Sequence, residues 1–338
     1  MPASDLGKIA LPLKGELRFS AMPSFPRLAD DAFVLGAGLG TRLRPLTDEC
    51  PKPLIPIANK PLLTFAFDRL IAMGIGGFVV NTHHRPEAYA KAFPEASYRG
   101  RRIRWSHEPI LLDTGGGVRN VGELFGDRPF LIHNGDILTD LPIEKAVEQH
   151  LAGDDLATLV LRSAGPALHV GFDPVKRKVV DIHGRLGRED VPPCLYTGIA
   201  VLSPSFLPWI PRDGPASLIP VFLEAIRRSG SIGGVLLDQG CWFDLGTREA
   251  YLWVHRELHR NPGGWKPLCW IDPTARVAPD ALLEGATAIG PRCRVGSGAL
   301  LRDSILWEGA EVAPGSVLER CVVRNSRLAK GNLVDADL

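Results

Sequence analysis

The chain has 338 residues, 45% hydrophobic and 23% charged, the balance of a globular protein with room for one large α/β domain and a smaller second one. Its 39 basic and 38 acidic residues leave a formal net charge of +1. That excludes a global field for nucleic acid or an anionic membrane, so any anionic ligand has to be held by local groups. The cysteines Cys50, Cys194, Cys241, Cys269, Cys293 and Cys321 include no C-x-x-C pair and no zinc-ligand spacing; they read as reduced, mostly buried thiols of a cytoplasmic protein.

Residues 1–30 carry Lys8, Lys14 and Arg18 among prolines and glycines, without the apolar run of a signal sequence, and read as a weakly specified extension. No stretch of about 18 apolar residues occurs, so no membrane-spanning helix is expected. From Asp31 the texture changes: residues 32–35 are a short apolar run ending in glycines, the way a buried parallel strand runs into a loop. Helical spacing follows over 62–73, a β-rich run over 77–81, a helix over 85–93, a strand over 103–107, a helix over 116–124 and a strand over 130–133. This alternation predicts an α/β fold over 31–260, a Rossmann-like, mainly parallel sheet flanked by helices, with ligands beyond the carboxyl ends of its strands.

After a predicted helix over 248–259 and a Pro/Gly-rich stretch at 261–267, a second period begins. Ile271, Val277, Leu283, Ile289, Val295 and Leu301 recur every six residues, with Ala275, Ala281, Thr287, Cys293 and Ala299 four places after the first five. A six-residue period suits a parallel β-helix that stacks one apolar residue per short face. It slips after Leu301, through Ile305 and Trp307, and returns at Val312 and Leu318, with Val322 and Leu328 further along. Residues 261–338 are therefore expected to form a linker and a β-helix domain.

The segment Leu35-Gly36-Ala37-Gly38-Leu39-Gly40-Thr41-Arg42 places glycines directly after a strand, where backbone N–H groups can turn toward phosphate oxygens and Thr41, Arg42 and Lys52 can add donors. A dinucleotide fingerprint would need a third glycine where Thr41 stands, and a Walker loop would need Gly-Lys-Ser/Thr; neither is present. Phe130-Leu131-Ile132-His133-Asn134-Gly135-Asp136 is an apolar strand delivering a carboxylate at its end, where it could hold Mg²⁺ between phosphates. His83, His84 and His107 read as strand-end or surface residues.

The string from Gly38 to Thr47, with Pro51-Lys52-Pro53-Leu54, resembles the signature of the sugar nucleotidyltransferase (nucleotide-sugar pyrophosphorylase) family. The resemblance covers roughly residues 31–335, since a left-handed hexapeptide β-helix after this catalytic domain is common among mannose-1-phosphate guanylyltransferases. It implies a nucleoside triphosphate and a sugar 1-phosphate as substrates, Mg²⁺ as cofactor, and no nucleic-acid or membrane partner. Asp136 resembles the first metal ligand of the family, and Asp244, in Cys241-Trp242-Phe243-Asp244-Leu245-Gly246-Thr247, the second. Arg42 and the amides from Gly38 to Thr41 would hold the β- and γ-phosphates, with Lys52 between nucleophile and α-phosphate. Leu35, Gly36, Ala37, Gly38, Gly40 and Thr41, together with Glu108, Thr114, Gly115 and Gly116 of the run to Gly117, would contact the nucleotide. Gly135, Tyr196, Thr197 and Gly198 resemble elements around the sugar phosphate. Many relatives carry Glu-Lys-Pro where this chain reads His183-Gly184-Arg185, which puts Arg185 in the place of the sugar-phosphate lysine.

The resemblance implies a mannose-1-phosphate guanylyltransferase-like enzyme, with a uridylyltransferase acting on N-acetylmuramate 1-phosphate or another hexose 1-phosphate as the alternative. The wording Leu112-Asp113-Thr114-Gly115-Gly116-Gly117 looks like that of N-acetylmuramate-1-phosphate uridylyltransferases, whereas the β-helix points to guanylyltransferases. A non-catalytic regulatory homologue is expected to lose the metal carboxylates or the Arg/Lys pair, and this chain keeps Arg42, Lys52, Asp136 and Asp244. Residues 271–338 contain no histidine, which disfavours acyl transfer by the β-helix and suits a scaffold for self-association into a homo-oligomer.

Overall fold

The computed structural model describes residues 25–338 except 189, 229, 266 and 267. Most of the extension read from residues 1–30, and the end of the stretch 261–267, thus lie outside the described residues. Leu28 and Ala29 are buried, and the Ala29 N–H donates to the Pro129 carbonyl at 2.8 Å, so packing begins ahead of Asp31.

Besides a short antiparallel pair, Pro56–Ile57 with Lys60–Pro61, twelve strands organise the first part of the described residues. In chain order they are β1 (Asp31–Leu35), β2 (Gly77–Thr82), β3 (Ser97–Tyr98), β4 (Arg101–His107), β5 (Phe130–Asn134), β6 (Ile137–Thr139), β7 (Ala157–Arg162), β8 (Val170–Asp173), β9 (Lys178–Ile182), β10 (Pro193–Leu202), β11 (Ile232–Leu236) and β12 (Trp242–Asp244). Ten of them form one sheet in the order β8-β9-β11-β7-β10-β5-β1-β2-β4-β3, while β6 and β12 form a separate ribbon. Besides a single turn of α-helix at Leu46–Glu49, the helices are α1 (Leu63–Ala72), α2 (Pro86–Ala92), α3 (Asp113–Val121), α4 (Glu144–Ala152), α5 (Leu218–Arg227) and α6 (Arg248–Arg260).

Strand β1 lies parallel between β2 and β5. Both of its faces are covered, which is why Ala32, Phe33 and Val34 are all apolar and wholly buried. Leu63, Phe67 and Leu70 of α1 recur at helical spacing and pack with Phe78 and Tyr89 on one face; Phe130, Phe206 and Phe222 pack on the other.

The expectation of a mainly parallel sheet is corrected: the sheet is mixed. Parallel pairing holds for β5-β1-β2-β4 and for β7 with β11. Strand β10 runs antiparallel between β5 and β7, β9 runs antiparallel to β8 and β11, and β3 to β4. The strands β8, β9 and β10 follow one another without an intervening helix, and a parallel neighbour needs a long crossover.

From Ile271 the chain winds into three short parallel sheets, consistent with a β-helix. Val277, Val295, Val312 and Ala329 stack in one; Leu283, Leu301, Leu318 and Leu333 in the second; Ile289, Leu306 and Val323 in the third. The slip in the period is one residue short between Leu301 and Leu306. Val323 and Ala329 therefore continue the inner rows, rather than Val322 and Leu328, and Leu328 is exposed. The same slip turns Ile305, Trp307 and Val322 outward, where they pack against Tyr251, Leu252 and Leu258 of α6. Asn59 Nδ2 donates to the carbonyls of Cys269 (2.9 Å) and Ile289 (2.7 Å) across the same junction.

Candidate active site

The ribbon of β6 and β12 brings together two carboxylates far apart in sequence, because Asp244 pairs with Ile137, the residue after Asp136. Lys52 sits between them. Its Nζ donates to Asp136 Oδ2 at 2.6 Å and to Asp244 Oδ1 at 3.2 Å, with the lysine side chain only 8% exposed. Arg42 stands at the mouth, 72% exposed, with Nη2 4.0 Å from Asp244 Oδ2. Two carboxylates converging on one ammonium form a donor set suited to Mg²⁺, which takes one or two carboxylates and completes its shell with phosphate oxygens. Among the described residues no group of three or more His, Cys, Asp or Glu forms a self-sufficient metal site.

Above this centre the loop after β1 is held from below and open above. Gly40 has φ +63°, and a Cβ there would meet Thr47 Cγ2 at 2.9 Å; the Gly40 carbonyl accepts from Thr47 Oγ1 at 2.9 Å. A Cβ on Gly38 would meet nothing within 4 Å, so this backbone faces open space where a ligand can approach. Leu35, Ala37, Gly38, Gly40, Thr41, Arg42, Lys52, Glu108, Thr114 and Asp136 all line one cleft of about 490 Å³. It opens beyond the carboxyl ends of β1 and β5, as expected for an α/β sheet.

Gly36 does not line the cleft; it is buried in a hydrogen-bond network. Its N–H donates to Asn81 Oδ1 at 2.7 Å and its carbonyl accepts from Tyr89 Oη at 2.8 Å. Burial pushes the Tyr89 phenol well above its usual range, so the hydroxyl stays a donor. Asn81 Nδ2 donates to Glu108 Oε1 at 2.8 Å, and Glu108 Oε2 accepts from the Leu112 N–H at 3.0 Å. Glu108 thus faces the cleft with both oxygens engaged within the protein.

Helix α3 begins at Asp113 rather than at Gly116, so the three glycines fall inside the helix. They are there for packing. The Gly116 N–H donates to the Ala216 carbonyl at 2.8 Å, and a Cβ on Gly115 would meet that same oxygen at 2.8 Å. Gly115 and Gly116 therefore face the loop before α5 instead of the cleft. Thr114 lines the cleft, yet its Oγ1 accepts from the Leu218 N–H at 3.0 Å at the start of α5.

The elements assigned to the sugar phosphate also stand behind the wall. Gly135 is packed so closely that a Cβ would lie 2.7 Å from the Leu35 carbonyl oxygen. Tyr196 packs edge-on against Phe222, and Thr197 Oγ1 donates to the Val160 carbonyl at 2.9 Å. At Gly198 φ is +78°, and a Cβ would sit 2.5 Å from Asn134 Nδ2; the irregularity of β10 there makes room for Asn134, which does line the cleft. Arg185 is exposed in the turn after β9 and does not line the cleft. The turn is closed on Asp181, whose carboxylate accepts from the N–H groups of Leu186 and Arg188.

Residues not singled out as contacts from the sequence also line the cleft: Pro53, Leu111, Asp113, Asn134 and Gly246, which lie within the motifs, and Asn81 and Pro215, which lie outside them. Asn134 ends strand β5 and Asn81 is the last residue but one of β2, positions that could have flagged them; Pro215 gives no local signal. His83 Nδ1 donates to the Glu108 carbonyl at 2.7 Å and His84 Nε2 to the Thr47 carbonyl at 3.3 Å, so both brace loops at strand ends. Of the six free cysteines three are buried, Cys50 is half-buried, and Cys241 and Cys269 are exposed, fewer buried than expected. Burial pushes the Cys50 thiol up to about 12 and the Cys293 thiol to about 11.

A family model described as nucleotidyl transferase matches residues 31–172. A mannose-1-phosphate guanylyltransferase of Mycobacterium tuberculosis is 30% identical over 302 residues, covering 86% of this chain and 83% of the relative. An N-acetylmuramate alpha-1-phosphate uridylyltransferase of Caulobacter vibrioides is 33% identical over 236 residues, covering 67% of this chain and 96% of the relative. Among solved structures, HddC from Yersinia pseudotuberculosis shares the fold with a TM-score of 0.54 at 21% identity, over 65% of this chain and 96% of that one. No helix among the described residues is long and apolar enough to cross a membrane.

Proposed function

The chain belongs to the nucleotidyl transferase family, among the enzymes that act on sugar 1-phosphates, and from that membership we propose that it joins GTP to mannose 1-phosphate, forming GDP-mannose and pyrophosphate. The observation that carries nucleotidyl transfer is the Lys52 ammonium held between Asp136 and Asp244 at the foot of a glycine-lined cleft.

A phosphate oxygen of the sugar 1-phosphate attacks the α-phosphorus of the triphosphate. A new P–O bond forms, the bond to the bridging α,β-oxygen breaks, and pyrophosphate leaves with that electron pair. No covalent enzyme intermediate is needed, so the protein mainly aligns the two anions and neutralises charge. Lys52, nearly desolvated and anchored by two carboxylates, is placed to stabilise charge gathering on the α-phosphate oxygens. Arg42, 72% exposed at the mouth of the cleft, serves the leaving pyrophosphate together with the amides of the Gly38–Thr41 loop. Asp136 and Asp244 are the residues that would hold Mg²⁺, which when bound supplies neutralisation of the phosphate charge.

Support for the mannose and guanine assignment is the 30% identity to the mycobacterial guanylyltransferase sustained over 86% of this chain. A second reading, uridylyl transfer to N-acetylmuramate 1-phosphate, is favoured by the run Leu112 to Gly117 and by the Caulobacter relative. Steady-state kcat/KM for GTP with mannose 1-phosphate against UTP with N-acetylmuramate 1-phosphate separates them. A preference for the first pair of at least about 10²-fold is expected; a reversed preference replaces the proposal by the second reading.

A further inference from the structure

We infer that Asn81 and Glu108 are a positioning pair that fixes the phosphate-facing loop relative to the loop before α3, and that Glu108 acts through this link instead of by touching the nucleotide. The inference rests on the nucleotidyltransferase reading of the cleft.

The link is continuous. The Gly36 N–H donates to Asn81 Oδ1 (2.7 Å), Asn81 Nδ2 donates to Glu108 Oε1 (2.8 Å), and Glu108 Oε2 accepts from the Leu112 N–H (3.0 Å). Asn81 is 2% exposed and Glu108 1%, so water cannot replace a lost partner, and each break leaves a desolvated polar group. Only one orientation of the Asn81 amide works, since a backbone N–H needs the oxygen and a carboxylate needs the NH₂. Gly117 completes the fit: a Cβ there would lie 2.9 Å from Asn81 Nδ2 and 3.1 Å from Glu108 Oε1. One end of the link is the residue before Ala37 and Gly38, the other the residue before Asp113 and Thr114, so it sets the width of the cleft between them. A carboxylate that already satisfies two donors and is almost wholly buried is suited to holding a loop.

The test is a polarity swap in the full chain. Asn81→Asp sets two carboxylates face to face, and Glu108→Gln leaves two donors opposed at one end of the link or the other. Each single variant is expected to raise KM and the dissociation constant for the triphosphate by about 10- to 100-fold, with a smaller change in KM for the sugar phosphate. In the double variant the carboxylate introduced by Asn81→Asp accepts from both the Gly36 N–H and the amide introduced by Glu108→Gln. The oxygen of that amide accepts from the Leu112 N–H, so every bond is remade with the same net charge. Triphosphate affinity is then expected to return to within about threefold of wild type, together with hydrogen-exchange protection of the Gly36 and Leu112 amides. A double variant as impaired as Glu108→Gln alone, in protein whose amide protection has returned, overturns the inference and makes the Glu108 carboxylate a direct contact. Should a single variant fail to fold, the double variant decides alone, by restored or lost affinity. Because affinity is read as well as turnover, the cycle stands apart from the parent reading, which fails if the folded wild type transfers no nucleotide.

Discussion

Trp307, on the second coil of the stacked strands, donates its indole N–H to the Tyr251 hydroxyl at 3.0 Å, and that hydroxyl donates to the Pro56 carbonyl at 2.7 Å. Both side chains are buried, and Pro56 lies shortly after Lys52 in the segment that delivers it. Tyr251→Phe leaves the indole N–H and a carbonyl unpartnered at once, so a loss of about 1–3 kcal/mol is expected; Trp307→Ala, which also opens a cavity, is expected to lose about 3–5 kcal/mol. Denaturant unfolding of the full chain measures both, and a Tyr251→Phe variant as stable as wild type would show that this relay contributes nothing.

Removing the central cation has a different signature. Lys52→Met takes away the only ammonium between Asp136 and Asp244 among the described residues, leaving two carboxylates near one another. Turnover is expected to fall by about 10²-fold or more. Chelation of divalent cations is expected to silence the wild type as well, with activity restored by added Mg²⁺. Persistent turnover in excess chelator would remove Mg²⁺ from the mechanism.

Two glycines of one loop are expected to respond oppositely to alanine. Gly40→Ala forces a side chain into a left-handed backbone and against Thr47, and should cost about 1–2 kcal/mol of stability. Gly38→Ala meets nothing in the protein, so stability should hold while KM for the triphosphate rises. Melting temperatures and KM values for the two variants check the contrast; equal melting temperatures would argue against the strain at Gly40.

Acid should destabilise the fold through its buried histidines. Burial lowers His150 and His255 from the ordinary value of 6.5 to about 4. The unfolded chain therefore takes up protons on these residues below about 6.5 that the folded chain refuses until about 4. Their contribution is fully present above 6.5 and is lost as the pH falls toward 4. Unfolding free energy measured across that window should drop, and His255→Gln, whose amide oxygen can still accept from the Ala58 N–H, should make the drop shallower. An unchanged slope would contradict neutral burial of His255.

Much of this architecture was legible in the chain because it rests on local pattern. The apolar run of β1, the helical spacing of α1 and the six-residue period each follow from the geometry of a single element. What escaped depends on pairings distant in sequence. Strand β10 carries no mark of inserting antiparallel between β5 and β7. The short coil at Leu306 is explained only by the helix that Ile305 and Trp307 pack against. In the site, the charged residues Arg42, Lys52, Asp136 and Asp244 converge from three segments. Several glycines read as ligand contacts, Gly36, Gly115, Gly116 and Gly135, lie outside the cleft lining and are packed so closely that a Cβ would clash, and a glycine run does not tell close packing from ligand approach. Asn81 escaped because its partners, Gly36 and Glu108, are 45 and 27 residues away.

Pyrophosphate release by the full chain, over a matrix of GTP, UTP, dTTP, ATP and CTP with sugar 1-phosphates in the presence of Mg²⁺, tests the site most directly when run beside Asp136→Asn. One strongly preferred pair, GTP with mannose 1-phosphate, is expected, with a loss of at least about 10²-fold in the variant. Undiminished release by Asp136→Asn, or none from the folded wild type with any pair, would contradict nucleotidyl transfer at this centre.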